Sequence, residues 1–156
     1  MRYWLYKCNI EGGPAGYWGD WRGMVFNQVG PVQWGGDYST RSREVSNYLA
    51  DKISAGDVVV AYQTNLHAVV GYCTVSRITG PSGARELWLQ PFEVVDPQFR
   101  IHEHKRGTAL EQSVAVNGPV MLRELSKAEM SVLTQLAGSP DRVLRGEAPA
   151  KGWKPH

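Results

Sequence analysis

In Trp34-Gly35-Gly36-Asp37-Tyr38-Ser39-Thr40-Arg41-Ser42-Arg43-Glu44 a large aromatic, a glycine pair and a polar run stand together. Paired glycines let the backbone bend tightly or left-handed, so the indole before them and the polar groups after them converge on one small space. That arrangement builds a pocket for a flat ring. Trp88, on a later strand, is expected to supply the opposite wall. Asp37, Tyr38 and Ser39 are candidates for hydrogen bonds to the ring's edge, and Tyr62 is a further lining group. The plainer readings are that Asp37, Tyr38 and Ser39 cap a helix and that the tryptophans, six in the chain, pack the core. The pocket reading requires a ring-sized gap between Trp34 and Trp88.

The densest basic cluster is Arg100, His102, His104, Lys105 and Arg106. With Arg41 and Arg43, near the amide end of a first helix, Arg100, His102, Lys105 and Arg106 form a candidate phosphate rail. The alternative is a solvated loop whose charge Glu103 and Glu111 balance. His102-x-His104 could begin a metal site, but no further histidine, cysteine or paired carboxylate stands at supporting spacing. The same histidines with Asn117 faintly resemble an HNH nuclease, yet the only later histidine is His156, the last residue. No G-x-S-x-G, P-loop or H-E-x-x-H occurs. Hence no catalytic residue, metal or cofactor is expected. Cys8 and Cys73 lie far apart inside predicted strands, where a free cysteine is a small apolar side chain.

The elements that must position these groups fit one domain of 156 residues, with the working unit over 1–140 and a tail or linker over 141–156. A 42% hydrophobic and 21% charged composition is ordinary for a globular chain. A net charge of only +2 argues against a purely electrostatic nucleic-acid binder, so such contact would rest on a local patch and a specific pocket. The sequence has no signal-peptide pattern and no apolar run long enough to cross a bilayer, so a soluble cytoplasmic protein is expected. Tyr3 to Asn9 reads as a strand with Trp4, Tyr6 and Cys8 on one face and Tyr3, Leu5 and Lys7 on the other. The glycine- and aromatic-rich stretch from Glu11 to Gly36 reads as an irregular loop packed on the body, with one helical turn near Asp20 to Asn27.

Arg43 to Ile53 has a helical stripe of Val45, Leu49 and Ile53, with Gly56 as its stop. Strands follow at Asp57 to Gln63, Ala68 to Ile78, with Gly71 marking a bulge or close approach, and Glu86 to Val95, where Pro91 implies an edge or a kink. Val120 to Leu122 reads as a closing strand. Ser126-x-x-Glu129 is a capping box for a helix over Lys127 to Ala137 that buries Met130, Leu133 and Leu136. The sum is an α+β domain: a small, curled, mostly antiparallel barrel of five or six strands, closed or nearly so, with flanking helices.

The order of these features resembles the EVE domain family, of the PUA-like superfamily and related to the YTH readers of methylated adenine. The likeness runs through Tyr3-Trp4-Leu5, Trp34 before a helix, Gly56-Asp57 into a strand ending at Tyr62, Val70-Gly71-Tyr72, Trp88 with Pro91, and Pro119-Val120-Met121-Leu122-Arg123-Glu124-Leu125. It reaches nearly to Ser139. Where an EVE sequence carries an Arg-Asn pair after the tryptophan turn, this chain has Asp37-Tyr38-Ser39-Thr40-Arg41. The resemblance implies an aromatic pocket, at Trp34 and Trp88, for a modified base flipped out of nucleic acid. Stacking returns ~1–3 kcal/mol per base against a flipping cost of a few kcal/mol, so two walls suffice to hold it.

The expected function is a non-enzymatic reader of modified cytosine or N6-methyladenine in DNA, as the recognition module of a prokaryotic modification-dependent restriction or defence system. The expected partners are DNA in preference to RNA, and a fused or separate nuclease effector, with no membrane. The alternatives are an RNA-binding PUA-like protein that recognises modified RNA, and a small hydrolase acting on a modified nucleoside.

Overall fold

A computed structural model describes residues 1–8, 19–34, 52–81, 85–118 and 122–137, except the side chain of Asp96. Asp37, Tyr38, Ser39, Arg41 and Arg43, most of the helix expected over 43–53 and the tail from 141 lie outside those residues. Among the described residues six strands form one sheet: β1 (Tyr3–Cys8), β2 (Val32–Trp34), β3 (Val58–Gln63), β4 (Ala68–Thr79), β5 (Glu86–Arg100) and β6 (Leu122–Leu125). Their order is β2-β5-β4-β3-β1-β6. Among the described residues β1 and β3 run parallel and the other neighbours are antiparallel. The α+β, mostly antiparallel class is the expected one, but closure is not. A barrel closes only when its terminal strands bond each other. Among the described residues the three-residue β2 pairs with β5 and the four-residue β6 with β1, leaving an open sheet.

Period-two alternation sends the two halves of each strand to two cores. On one face Trp4, Tyr6, Cys8, Val59 and Ala61 pack with Trp21, Phe26 and Trp34; on the other Tyr3, Leu5, Val58, Val60 and Tyr62 pack with Ile101, Leu110, Met130 and Leu133. Since both faces are covered, β3 can be the unbroken apolar run Val58-Val59-Val60-Ala61, as a doubly buried strand requires. The first face is covered by a short π-helix, Arg22–Phe26, where the sequence pointed to one helical turn. Gly71 makes its close approach there: a Cβ would lie 2.5 Å from the Phe26 ring and 2.7 Å from the Glu93 carbonyl. The β4–β5 register shifts beside it, between Val69 and Gly71. Pro91, which has no amide to donate, stands opposite Cys73 at another shift, beyond the short reach of β2.

The second face is covered by a short helix α1 (Val114–Asn117), the 3-10 turn Ile101–Glu103 and helix α2 (Lys127–Ala137). The capping box of α2 forms as expected: Glu129 N donates to Ser126 Oγ at 3.0 Å and Ser126 N to Glu129 Oε1 at 2.9 Å. Met130 and Leu133 are buried, but Leu136 is exposed; Thr134 and Ala137 take the inward positions of the last turn. Of the closing strand expected over Val120 to Leu122, only Leu122 lies among the described residues, where it stands in β6.

Two buried polar residues tie the ends of β3. At its start Asp57 accepts from Arg2 N (2.9 Å), Trp4 Nε1 (3.0 Å) and Ser54 N (2.9 Å). At its end the Gln63 amide donates to Gly19 O (3.0 Å) and Asn65 Oδ1 (2.8 Å) and accepts from Trp21 N (3.0 Å). A buried acceptor with a full set of donors fixes the segments that supply them.

Candidate functional site

Trp34 ends β2 and turns inward. Its indole is 1% exposed and stacks on Trp21, with ring centroids 4.0 Å apart and planes at 23°. Trp21 is held in turn by its Nε1, which donates to Tyr62 O at 3.2 Å. The flat space against Trp34 is therefore filled by another indole. Trp88 is elsewhere. The β2–β5 register sets Trp34 opposite Leu87 and Gln33 opposite Trp88, and neighbours along a strand point to opposite faces. The expected slot walled by Trp34 and Trp88 is thus corrected: the two indoles lie on different faces of the sheet. Trp88 stands on the polar outer end of its face, donating to Thr79 Oγ1 at 3.0 Å, with the Arg77 guanidinium 4.2 Å from its ring centroid. That contact is a cation–π pair.

A different set of groups does converge. The β1–β3 register places Lys7 beside Tyr62, with Lys7 Nζ 5.8 Å from the Tyr62 ring centroid. Lys7 donates to Val116 O (3.2 Å) and Gly118 O (2.7 Å) and is 6% exposed. Burial lowers its pKa to about 8. The Tyr62 hydroxyl lies 3.5 Å from His102 Nε2, and burial pushes this phenol up to about 12, so it stays protonated. The His102 and His67 rings sit 4.8 Å apart. His102 is pushed below the usual imidazole range, first by desolvation, then by the charges of Lys105, His67 and Lys7. Lys105 is joined to the same loop by Asn117 Oδ1, and Asn117 is held by Leu110 O, Glu111 O and Ser113 O.

The structure thus brings together one expected pocket residue, Tyr62, and two residues of the expected phosphate rail, His102 and Lys105. Arg100 and Arg106 are exposed in the same segment, Arg100 with Glu103 Oε1 3.9 Å away. Lys7 and His67 were not singled out by sequence. The signal for Lys7 was present, since a lysine at the inward position of Tyr3-x-Leu5-x-Lys7 breaks an apolar face. His67 had none: its left-handed backbone (φ 49°) at the β3–β4 turn is a property of the fold. The arrangement suits an anion better than covalent chemistry. Burial, and then Asp20, raises the Cys8 thiol, and burial alone raises that of Cys73, so both stay protonated. Among the described residues no three His, Cys, Asp or Glu side chains are placed to hold a metal ion.

Solved structures share this architecture. Protein Atu2648 from Agrobacterium tumefaciens superposes with a TM-score of 0.70 at 17% identity, over 96% of this chain and 100% of that one. The fold is PUA-like. Human THYN1, solved in complex with DNA containing 5-methylcytosine, gives 0.68 at 11% identity over 90% and 99% of the two chains. The YTH domain of Zygosaccharomyces rouxii MRB1, solved with N6-methyladenosine RNA, gives 0.51 at 10% identity over 89% and 88%. No family model and no curated protein matches the sequence. At these identities the likeness is one of fold. Among the described residues no helix is long and apolar enough to cross a membrane.

Proposed function

We propose that this chain is a non-enzymatic reader of a modified nucleobase, modified cytosine or N6-methyladenine, in DNA, and belongs with the EVE domains. The observation that carries the reading is the convergence of Tyr62 with Lys7, His67, His102 and Lys105 at one end of the sheet. It sits within a fold shared by a protein solved with 5-methylcytosine DNA and a domain solved with N6-methyladenosine RNA. Cationic groups hold the backbone and aromatic groups receive the base. In this reading Asp37, Tyr38 and Ser39, which follow Trp34, read the base edge, Tyr62 lines the approach, and Arg41, Arg43, Arg100 and Arg106 extend the phosphate contact. The Trp21–Trp34 stack anchors the end of β2, and Trp88 with Arg77 offers a separate stacking surface. A role as the recognition module of a restriction or defence system, with a nuclease effector, belongs to the same proposal.

A reading as an RNA binder is favoured by the YTH neighbour alone. The test is binding to matched DNA and RNA oligonucleotides carrying cytosine, 5-methylcytosine, 5-hydroxymethylcytosine, adenine or N6-methyladenine at one position. One modified DNA should bind about tenfold tighter than its unmodified match, as ~1–3 kcal/mol for a methyl-sized group implies. Asp37→Ala or Ser39→Ala should lose that preference, whereas Arg106→Ala should weaken every oligonucleotide alike and flatten the salt dependence. Equal affinity for all the oligonucleotides removes the reading. A preference confined to RNA transfers it to the RNA alternative.

A further inference from the structure

Lys7 is a buried cation bonded to two peptide carbonyls, with no carboxylate paired to it among the described residues. Around it stand more groups of the same sign. His102 comes from the turn after β5, His67 from the β3–β4 turn and Lys105 from the loop that follows; His102 stands beside the Tyr62 hydroxyl and the His67 ring and feels the charges of Lys105, His67 and Lys7. The acids of the same segment have other partners: Glu103 lies beside Arg100, and Glu111 accepts from Gly107 N. Like charges gathered at a half-buried place cost free energy until an anion joins them. We propose that Lys7, His67, His102 and Lys105 form a proton-coupled seat for one phosphodiester group of nucleic acid. The assignment to nucleic acid rests on the reader proposal, but the seat does not depend on which base is read.

The coupling has a definite sign. In the free protein desolvation and three cationic neighbours hold the His102 proton loosely. A phosphate oxygen placed among them offsets those charges and raises the proton affinity of His102, so binding takes up a proton. By linkage, affinity rises as pH falls through the imidazole range, below about 6.5. Lys105 and, below its own pKa of about 8, Lys7 supply the attraction that remains once the imidazoles are neutral. His102 is exposed and His67 stands on a surface turn, so both can be replaced without opening the core.

The experiment uses thymidylyl-thymidine, whose single phosphodiester keeps its charge across the range, with thymidine and sulfate as comparison ligands. Affinity is read by titrating the backbone amide resonances of the full chain at about pH 7, where Lys7 is still charged, and at about pH 5.5. Thymidylyl-thymidine should bind about tenfold tighter at the lower pH, the scale of an ordinary linked equilibrium, thymidine should not bind, and sulfate should compete. In a His67→Asn, His102→Gln double variant the pH dependence should disappear while the fold, read by circular dichroism, is unchanged. Asparagine is chosen at position 67 because it tolerates the left-handed backbone there. No binding of thymidylyl-thymidine, a slope that survives in the double variant, or equal binding of thymidine overturns the seat. Sulfate binding without thymidylyl-thymidine binding overturns its assignment to nucleic acid. Loss of base discrimination with the pH slope intact removes the reader proposal and leaves a phosphate site.

Discussion

Asp57 and Lys7 carry opposite problems at the two ends of the β1–β3 pair. Asp57 is 3% exposed and satisfies three N–H donors from two segments, the start of β1 and the stretch just before β3. Asp57→Ala should cost ~2–4 kcal/mol in urea unfolding, because each stranded donor costs ~1–3 kcal/mol; Asp57→Asn, which keeps one carboxamide oxygen, should cost less. A loss below that range would mean water replaces the carboxylate. Lys7 is burdened by its own charge. Its folded pKa is about 8 against an ordinary 10.5, so between those values the unfolded chain holds a proton that the folded chain has released. Stability contributed through Lys7 therefore rises with pH over that window, and the penalty is complete below it. Measured against Lys7→Met, the wild type should gain stability as pH rises from about 8 to 10.5; a constant difference would show the ammonium to be well solvated.

Elements are positioned by a few close approaches. Gly71 lets the π-helix lie on β4, since any Cβ there meets the Phe26 ring at 2.5 Å and a backbone oxygen at 2.7 Å. Gly71→Ala should destabilise by ~2–3 kcal/mol, as overpacking does, whereas Gly30→Ala, with nothing within 4 Å of the added carbon, should leave thermal unfolding nearly unchanged. Equal effects at the two positions would remove the packing explanation. Several elements were plain from local chemistry: the Ser126–Glu129 box starts α2 where its reciprocal bonds form, and Gly71 announced its own close contact. Strand β2 was not legible. Three residues between glycine-rich stretches, Val32 to Trp34, carry no periodic signal, and only the partner β5 makes them a strand.

At the scale of the whole molecule, the sheet with a core on each face encloses both thiols. Cys8 lies in the Trp4 core and Cys73 beside it, and burial raises both pKa values. The native chain should therefore resist iodoacetamide at about pH 8, where a free thiol reacts readily. Labelling should proceed at the rate of global unfolding, read by mass spectrometry along a urea series. Fast labelling of either cysteine in the absence of urea would mean that its strand opens locally. The alternation of Tyr3 to Cys8, the β-branched run of β3 and the cap of α2 are decided by short-range chemistry, so the sequence by itself determined them, along with the α+β class. Trp34 and Trp88 share a size suited to stacking on a ring, but their faces depend on a pairing register between strands more than 50 residues apart. In the same way Lys7, Tyr62 and His102 meet only because β1 and β3 pair in parallel and the loop after β5 folds back on them. Local sequence sets which side chains point the same way; long-range pairing sets which of them share a place.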